Sequence, residues 1–159
     1  MNFFKRRIRS LLISWLKPIV QEIQLNDYSL YGSKERLKIA PSARVANTLF
    51  NTYSGRIEIQ EYAFTGHNVS LLTGSHNCAE FGSGRMEVSP KSGNDILVQE
   101  GVWICSNVVV IGPAVIGRNS VVAAGSVVKG DIPPRVIAGG NPAKTIRPIQ
   151  RQQNPHLLE

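Results

Sequence analysis

Five side chains are candidates for chemistry in this chain of 159 residues: three histidines and two cysteines. They are His67, His76, His156, Cys78 and Cys105. An imidazole can accept or donate a proton near neutral pH, a thiolate can act as a nucleophile, and both groups can bind zinc. The role of each side chain therefore depends on the elements that position it.

A six-residue period positions most of these residues. It runs without a break from Val98, and its first position is always Val or Ile. The fifth position is Val, Ala, Ser or Ile, while Gly, Asn, Asp and Pro collect at the third and fourth positions. Each block is typical of a short strand and a tight turn, with the β-branched residue pointing inward onto its equivalents in neighbouring coils. The period of 3.6 that is typical of an α-helix is absent, and an alternating strand of an ordinary sheet would not keep a strict period of six. The sequence therefore predicts a parallel β-helix here.

Weaker blocks precede this array. Ile39–Phe50 and Ile59–Ser70 keep the period, with a slip of two residues at Asn51 and Thr52 between them. The period fails between Leu71 and Val98, where residues 73–95 are rich in Gly and Pro. A long loop on a solenoid commonly marks its binding face, so we expect a functional site at this loop.

The chain divides into three predicted parts: residues 1–38, 39–147 and 148–159. The first part is expected to be a basic amphipathic helix with a connector, because apolar residues recur there at three- and four-residue spacing between basic ones. Its apolar run is too short for a membrane span, and Lys17 and Pro18 interrupt it. The helix is expected either to lie on an anionic membrane surface or to pack on the protein's own oligomer or a partner. The second part is the β-helix domain, and the third is a polar tail.

The formal net charge is +7. A basic surface can bind nucleic acid, anionic lipid or a phosphorylated cofactor. Residues 1–24 alone carry a net charge of +4, and the chain has no aromatic-rich strand or recognition-helix pattern, so nucleic acid is not expected as a partner. The two cysteines do not form a disulfide framework, which favours reduced thiols in a cytoplasmic protein. Cys105 also fits a small-residue position of the repeat.

Three stretches resemble a known family, the hexapeptide-repeat acyltransferases. They are Val69–His76, Val102–Ser106 and Asp131–Ala143. The branch most similar contains the galactoside and maltose O-acetyltransferases and the colanic-acid acetyltransferases. The resemblance covers Ile39–Ile149 and implies a left-handed parallel β-helix that forms homotrimers with active sites between subunits. It further implies transfer of an acetyl group from acetyl-CoA to a sugar hydroxyl, in glycan or surface-polysaccharide biosynthesis.

The resemblance assigns roles to individual residues. His76 matches the family's catalytic histidine, the general base that removes the proton of the attacking hydroxyl. Asn51 lies near family positions that contact the acceptor sugar. His67 occupies a turn position of the repeat and is expected to be solvated, while His156 lies in the tail.

The implied acetyl-CoA contacts lie in the later coils. Small residues at two positions eighteen apart would line the groove for the pantetheine arm, and three basic residues would provide a polar contact and two phosphate contacts. In that order they are Ser106, Ala124, Lys129, Lys144 and Arg147. Gly130 stands where the family often has Lys, and Cys105 replaces a common Gly.

Two alternative functions stay open at this point. One is a non-catalytic β-helix that serves as a binding or scaffold protein, and the other is an N-acetyltransferase that acts on an amino sugar. A zinc-dependent member of the wider fold would need several histidines in neighbouring coils, whereas only His67 and His76 fall within the coils. We therefore expect no metal.

Overall fold

Fourteen short strands occur between residues 29 and 148 of the computed structural model, which describes residues 11–20 and 27–150. The strands are β1 (Ser29–Tyr31), β2 (Leu37–Ile39), β3 (Thr48–Asn51), β4 (Ile57–Ile59), β5 (Phe64–Thr65), β6 (Val69–Leu72), β7 (Ile96–Val98), β8 (Trp103–Ile104), β9 (Val109–Ile111), β10 (Ala114–Ile116), β11 (Val121–Val122), β12 (Val127–Lys129), β13 (Val136–Gly140) and β14 (Ala143–Pro148). Residues 11–20 form helix α1, Gly82–Glu87 form helix α2, and Lys34–Arg36 form a single 3₁₀ turn.

The strands stack into three sheets, and the chain visits each sheet once per coil. Their orders are β1-β3-β6-β9-β12, β10-β7-β4-β2 and β14-β13-β11-β8-β5. All neighbouring strands are parallel except β13 and β14, which form an antiparallel hairpin at the end of the stack. Val110 pairs with Val128 and Ile104 with Val122, so an unbroken coil contains 18 residues, or three blocks of six. The predicted β-helix is therefore confirmed.

The interior is filled by two of the six positions of each block. From Val98 to Val128, every first-position residue has an exposed fraction of 1% or less. The fifth-position residues are buried beside them, with exposed fractions of 5% or less. The first set is Val98, Ile104, Val110, Ile116, Val122 and Val128, and the second is Val102, Val108, Ala114, Ser120, Ser126 and Ile132. Each buried Val or Ile contributes about 1.5–3 kcal/mol by removing apolar surface from water.

The corners between strands use residues that tolerate the left-handed backbone region. Asn68, Asn107 and Asn119 have φ values of 56°, 59° and 56°. Asn is one of the few residues that visits this region readily, because its short side chain can form local hydrogen bonds. Tyr62 and Arg135 adopt similar φ values of 58° and 57°, although the sequence does not mark them as turn residues.

The irregular coil that contains β3 differs from its predicted register by one residue. Phe50, predicted as the last residue of its block, instead points into the core and pairs with Leu30 and Leu71 in the neighbouring coils. The period therefore shortens by one residue before Phe50. It lengthens by three before Ile59, where a turn buries Thr52 and Ser54. The net slip of two residues was predicted correctly, but its position was not.

The ends of the stack extend past the boundaries proposed from sequence. β1 pairs with β3, so the parallel sheet begins at Ser29, and β14 continues to Pro148. The division of the chain at residues 38 and 147 stays a prediction. The predicted N-terminal helix is confirmed for residues 11–20, whereas Phe4 and Ile8, which belong to the same predicted apolar period, lie outside the described residues. No helix in the described ranges is long and apolar enough to cross a membrane.

Candidate active site

A loop of more than twenty residues interrupts the coil between β6 and β7, and its two ends are joined. The side-chain amide of Asn94 donates a hydrogen bond to the carbonyl oxygen of Thr73 at 3.0 Å. The backbone N–H of Asn94 also donates to the carbonyl oxygen of Ser54 at 3.1 Å. Thr73 and Asn94 therefore lie side by side where the loop leaves and rejoins the coil, and we call this pair the neck of the loop. The neck fixes the direction in which the first residues of the loop leave the coil.

Thr73, the first residue of the loop, is tied to the coil before it. Its side chain is buried, and Oγ1 donates to the carbonyl oxygen of Asn51 at 2.7 Å and accepts from the backbone N–H of Ser54 at 3.2 Å. Its own N–H donates to the same Asn51 oxygen at 3.0 Å. A buried hydroxyl that satisfies two backbone groups positions a backbone strongly, because breaking either bond leaves a buried polar group unpaired.

Arg36 ties a second part of the loop to the coil. Its Nη1 atom donates to the carbonyl oxygens of Tyr53 at 2.9 Å and Lys91 at 3.1 Å. Tyr53 belongs to the turn after β3, and Lys91 lies near the end of the loop. Because a guanidinium keeps its charge at all accessible pH values, these contacts persist across the working range of the protein.

His76 lies three residues beyond the neck, and its side chain is exposed. Between them, Gly74 packs directly on the side chain of Asn51, since a Cβ atom at residue 74 would lie 2.7 Å from the Asn51 amide. The structure thus brings Asn51 next to the backbone that leads to His76. No described residue forms a hydrogen bond to the imidazole of His76, so both ring nitrogens are accessible to a substrate.

Ser106 and Ala124 lie on successive coils, as their spacing of eighteen predicts. The N–H of Gly125 donates to the carbonyl oxygen of Ser106 at 3.0 Å. Ser106 is half-buried, and its hydroxyl accepts from the backbone N–H of His67 at 3.1 Å. Ala124 is exposed, and the two residues present only small side chains along this corner of the coil. The side chain of His67 is exposed in the turn between β5 and β6.

The three basic residues are exposed at the last coil. Lys129 ends β12, while Lys144 and Arg147 lie on β14, opposite Gly139 and Ile137 of β13. Strands β12 and β14 belong to different sheets but contact each other, so the three cations share one end of the β-helix. Exposed cations in this arrangement can bind an anion such as a phosphate group.

Cys105 is half-buried next to Ser106, at the corner that Ser106 and Ala124 form, and burial raises the pKa of its thiol. A hydrogen bond from the backbone N–H of Ala124 offsets this only partly. Since the thiolate is the nucleophilic form, a raised pKa disfavours Cys105 as a nucleophile near neutral pH. Within the described ranges, no group of three or more His, Cys, Asp or Glu side chains is arranged to hold a metal ion.

The residues that hold the loop are not apparent from the sequence. The hydrogen bond between Asn94 and Thr73 joins positions 21 residues apart, and the hydrogen bonds from Arg36 to Tyr53 and Lys91 join positions 17 and 55 residues apart. Nothing in the local sequence marks these pairs. Only the loss of the six-residue period near Asn51 indicated that this coil differs from the others.

A stack of parallel coils with a Val or Ile buried every six residues defines the class of hexapeptide-repeat β-helix proteins. Residues 95–130 match the family described as bacterial transferase hexapeptide (six repeats). The chain is similar to the hexapeptide-repeat acyltransferases in its buried repeat and in this match.

Three similar proteins are acetyltransferases by name. Galactoside O-acetyltransferase of Escherichia coli strain K12 is 33% identical over 148 residues, which are 92% of this chain and 66% of that protein. The mitochondrial serine acetyltransferase 3 of Arabidopsis thaliana is 35% identical over 108 residues, which are 67% of this chain and 25% of that protein. The solved structure of a maltose O-acetyltransferase from Clostridium difficile 630 superimposes with a TM-score of 0.55 at 27% identity, covering 79% of this chain and 68% of that one. The chain spans less than two thirds of the length of these two curated relatives.

Proposed function

We propose that this protein transfers the acetyl group of acetyl-CoA to a hydroxyl of a sugar, in the biosynthesis of a glycan or surface polysaccharide. The observation that carries the proposal is the position of His76. Its exposed imidazole is held on a loop whose first residue is fixed by hydrogen bonds to the coil that carries Asn51. Two of the similar proteins are O-acetyltransferases that are named for a sugar acceptor.

In the proposed reaction, the imidazole of His76 accepts the proton of the sugar hydroxyl while the hydroxyl oxygen attacks the thioester carbonyl carbon. A C–O bond forms, the C–S bond breaks, and the imidazolium returns the proton to the leaving sulfur. The products are an acetyl ester and CoA with a free thiol. A positioned general base typically contributes about 10²–10⁴-fold to the rate of such a step. No enzyme-bound acetyl group is required, in accordance with the raised pKa of Cys105.

The residues proposed to hold acetyl-CoA fit an extended molecule with phosphates at one end. Small side chains at Ser106 and Ala124 leave the corner of the coil open to the pantetheine arm. Lys129, Lys144 and Arg147 would contact the phosphates by charge-assisted hydrogen bonds, which are stronger than neutral ones. Asn51 would contact the acceptor near His76.

We further propose that the protein is a homotrimer in the cytoplasm. The outer faces of the sheets carry exposed apolar side chains, including the stacked rings of Phe64 and Trp103, whose centroids lie 5.7 Å apart. A cyclic arrangement of three copies would cover such faces in a closed assembly, in which no copy has an unpaired interface. The free thiols of Cys78 and Cys105 support a reducing compartment.

The release of CoA from acetyl-CoA, measured against a panel of sugars and amino sugars, tests this function. CoA is quantified by chromatography, because the exposed Cys78 would itself consume a thiol reagent. We expect His76→Ala to lower kcat by about 10²–10⁴-fold. His156→Ala is the matched control and should stay within about twofold, since His156 belongs to the C-terminal segment and is not among the residues of the proposed site. Unchanged turnover by His76→Ala would refute the proposed role, and turnover with amino sugars alone would make the enzyme an N-acetyltransferase.

A further inference from the structure

Helix α1 exposes an apolar surface that no described residue of its chain covers. All ten of its described residues are exposed, and seven of them are large and apolar. They are Leu11, Leu12, Ile13, Trp15, Leu16, Ile19 and Val20. Trp15 has an exposed fraction of 68%, and none of the seven belongs to the core cluster or packs against it. An apolar surface of this kind on a soluble domain indicates an interaction site.

The apolar residues occupy one side of the helix. Leu11, Trp15 and Ile19 follow one another at a spacing of four residues, and Leu12 and Leu16 continue the same face. Ser14 and Lys17 lie on the other side of the helix, three residues apart. The helix is therefore amphipathic, with a wide apolar face and a narrow polar face.

The charge around this helix identifies the kind of partner. Residues 1–20 contain five basic residues and no acidic ones. Lys17 lies in the described helix, whereas Lys5, Arg6, Arg7 and Arg9 precede it outside the described residues. Apolar side chains, a tryptophan and cationic residues in one segment are the composition of helices that lie in the interface of an anionic bilayer.

Repulsion argues against a second copy of the helix as the partner. Packing two such segments face to face would bring ten positive charges together without a counterion, whereas anionic lipid headgroups would neutralise them. The ten described residues also span only ~15 Å, about half of the hydrocarbon core, so this helix would lie along the surface rather than cross it. We propose that α1 docks the protein on an anionic membrane surface.

The position of α1 in the chain makes this docking compatible with the proposed site. The helix precedes β1, which is the edge strand of its sheet, so it joins the β-helix at its first coil. Lys129 and Lys144, proposed to contact acetyl-CoA, lie at the opposite end of the stack. In the proposed trimer, cyclic symmetry would place three copies of α1 at one height along the axis, and all three could contact the same membrane.

Co-sedimentation of the full chain with vesicles tests the proposal without acetyl-CoA or an acceptor. One set of vesicles is pure phosphatidylcholine, and the other contains about 30% phosphatidylglycerol to supply the negative surface potential. We expect retention by the anionic vesicles at least tenfold above that by the neutral ones, and a decrease in retention when salt is raised. Equal retention by both sets, or none by either, would overturn the proposal.

Paired substitutions on the two sides of the helix provide the controls. Trp15→Gln removes the largest apolar side chain and should lower the partition coefficient about tenfold. Lys17→Gln should lower it about fivefold by removing one positive charge. Ser14→Gln introduces the same side chain on the polar face and should stay within about twofold. If Trp15→Gln is retained as well as the wild type, the apolar face does not contact lipid.

Sedimentation velocity without lipid distinguishes the competing occupant. If α1 packed between copies of this chain, Trp15→Gln would lower the oligomeric state, and that result would overturn membrane docking. We expect the oligomeric state and the thermal unfolding midpoint of Trp15→Gln to match those of the wild type, because Trp15 does not contact the described core.

Discussion

The hydroxyl of Thr73 should contribute measurably to the stability of the coil that positions the candidate base. Thr73→Val keeps the shape of the side chain and removes only the hydroxyl. The carbonyl oxygen of Asn51 keeps its hydrogen bond from the Thr73 N–H, but the backbone N–H of Ser54 loses its acceptor. Ser54 has no exposed surface, so water cannot replace the lost partner without a local opening.

The expected cost follows from this single unpaired group. A buried donor left without an acceptor destabilises a protein by about 1–3 kcal/mol. For a chain of this size, each kcal/mol lowers the melting temperature by about 2–4 °C. Thr73→Val should therefore melt about 2–12 °C below the wild type in calorimetry at one fixed protein concentration, since oligomers melt at concentration-dependent temperatures.

Ser54→Ala provides a matched control in the same place. The Oγ atom of Ser54 is buried, and no described residue forms a hydrogen bond with it. Removing an unpaired buried hydroxyl should change stability by at most about 0.5 kcal/mol, or raise it. If Ser54→Ala costs as much as Thr73→Val, or if Thr73→Val melts with the wild type, then the hydrogen bonds do not stabilise the neck of the loop as described.

Three further predictions concern the core, a turn and the thiols. Ile104 has no exposed surface, so Ile104→Ala should lower the free energy of unfolding by about 2–5 kcal/mol and Ile104→Val by about 0.5–1.5 kcal/mol in urea titrations. Equal losses for the two variants would mean that the core rearranges to fill the space left by the missing atoms. Tyr62→Asn should raise the free energy of unfolding by about 1 kcal/mol, because Asn tolerates the φ of 58° that strains Tyr62, and a loss of stability would contradict this. Alkylation near pH 7.5, followed by mass spectrometry, should modify the exposed Cys78 well before Cys105, since burial raises the pKa of the Cys105 thiol. The rate at Cys105 should rise with pH above neutrality, and labelling of both thiols at one rate would show that Cys105 is not protected.

The sequence was sufficient to predict the regular part of the fold. From Val98 to Val128, an inward Val or Ile recurs every six residues, and because coils of equal length must stack in register, the period alone determines which residues are buried. The same logic placed Ser106 and Ala124 on successive coils. The same logic gives the wrong register for Phe50. The block before Phe50 is one residue shorter than six and the segment after it is three residues longer, so the sequence shows only the net change of two residues and not where it occurs.

The surroundings of the candidate base were less predictable. A family resemblance and the start of a long loop identify His76 in the sequence. The hydrogen bonds by which Thr73, Asn94 and Arg36 hold this loop cannot be predicted in that way. Each of these side chains donates a hydrogen bond to a backbone carbonyl group, which any residue supplies, so the pairing leaves no pattern in the sequence. The apolar face of α1 was visible as a period, whereas its full exposure could be known only from the structure.

Calorimetric titration of acetyl-CoA into the wild-type protein and His76→Ala tests the proposed acetyltransferase function without any knowledge of the acceptor. We expect micromolar binding by both proteins with closely similar affinities, since His76 acts on the acceptor hydroxyl and the proposed cofactor contacts lie on later coils. Absence of binding by folded wild-type protein would contradict the acetyltransferase function and leave a β-helix that binds or organises other molecules.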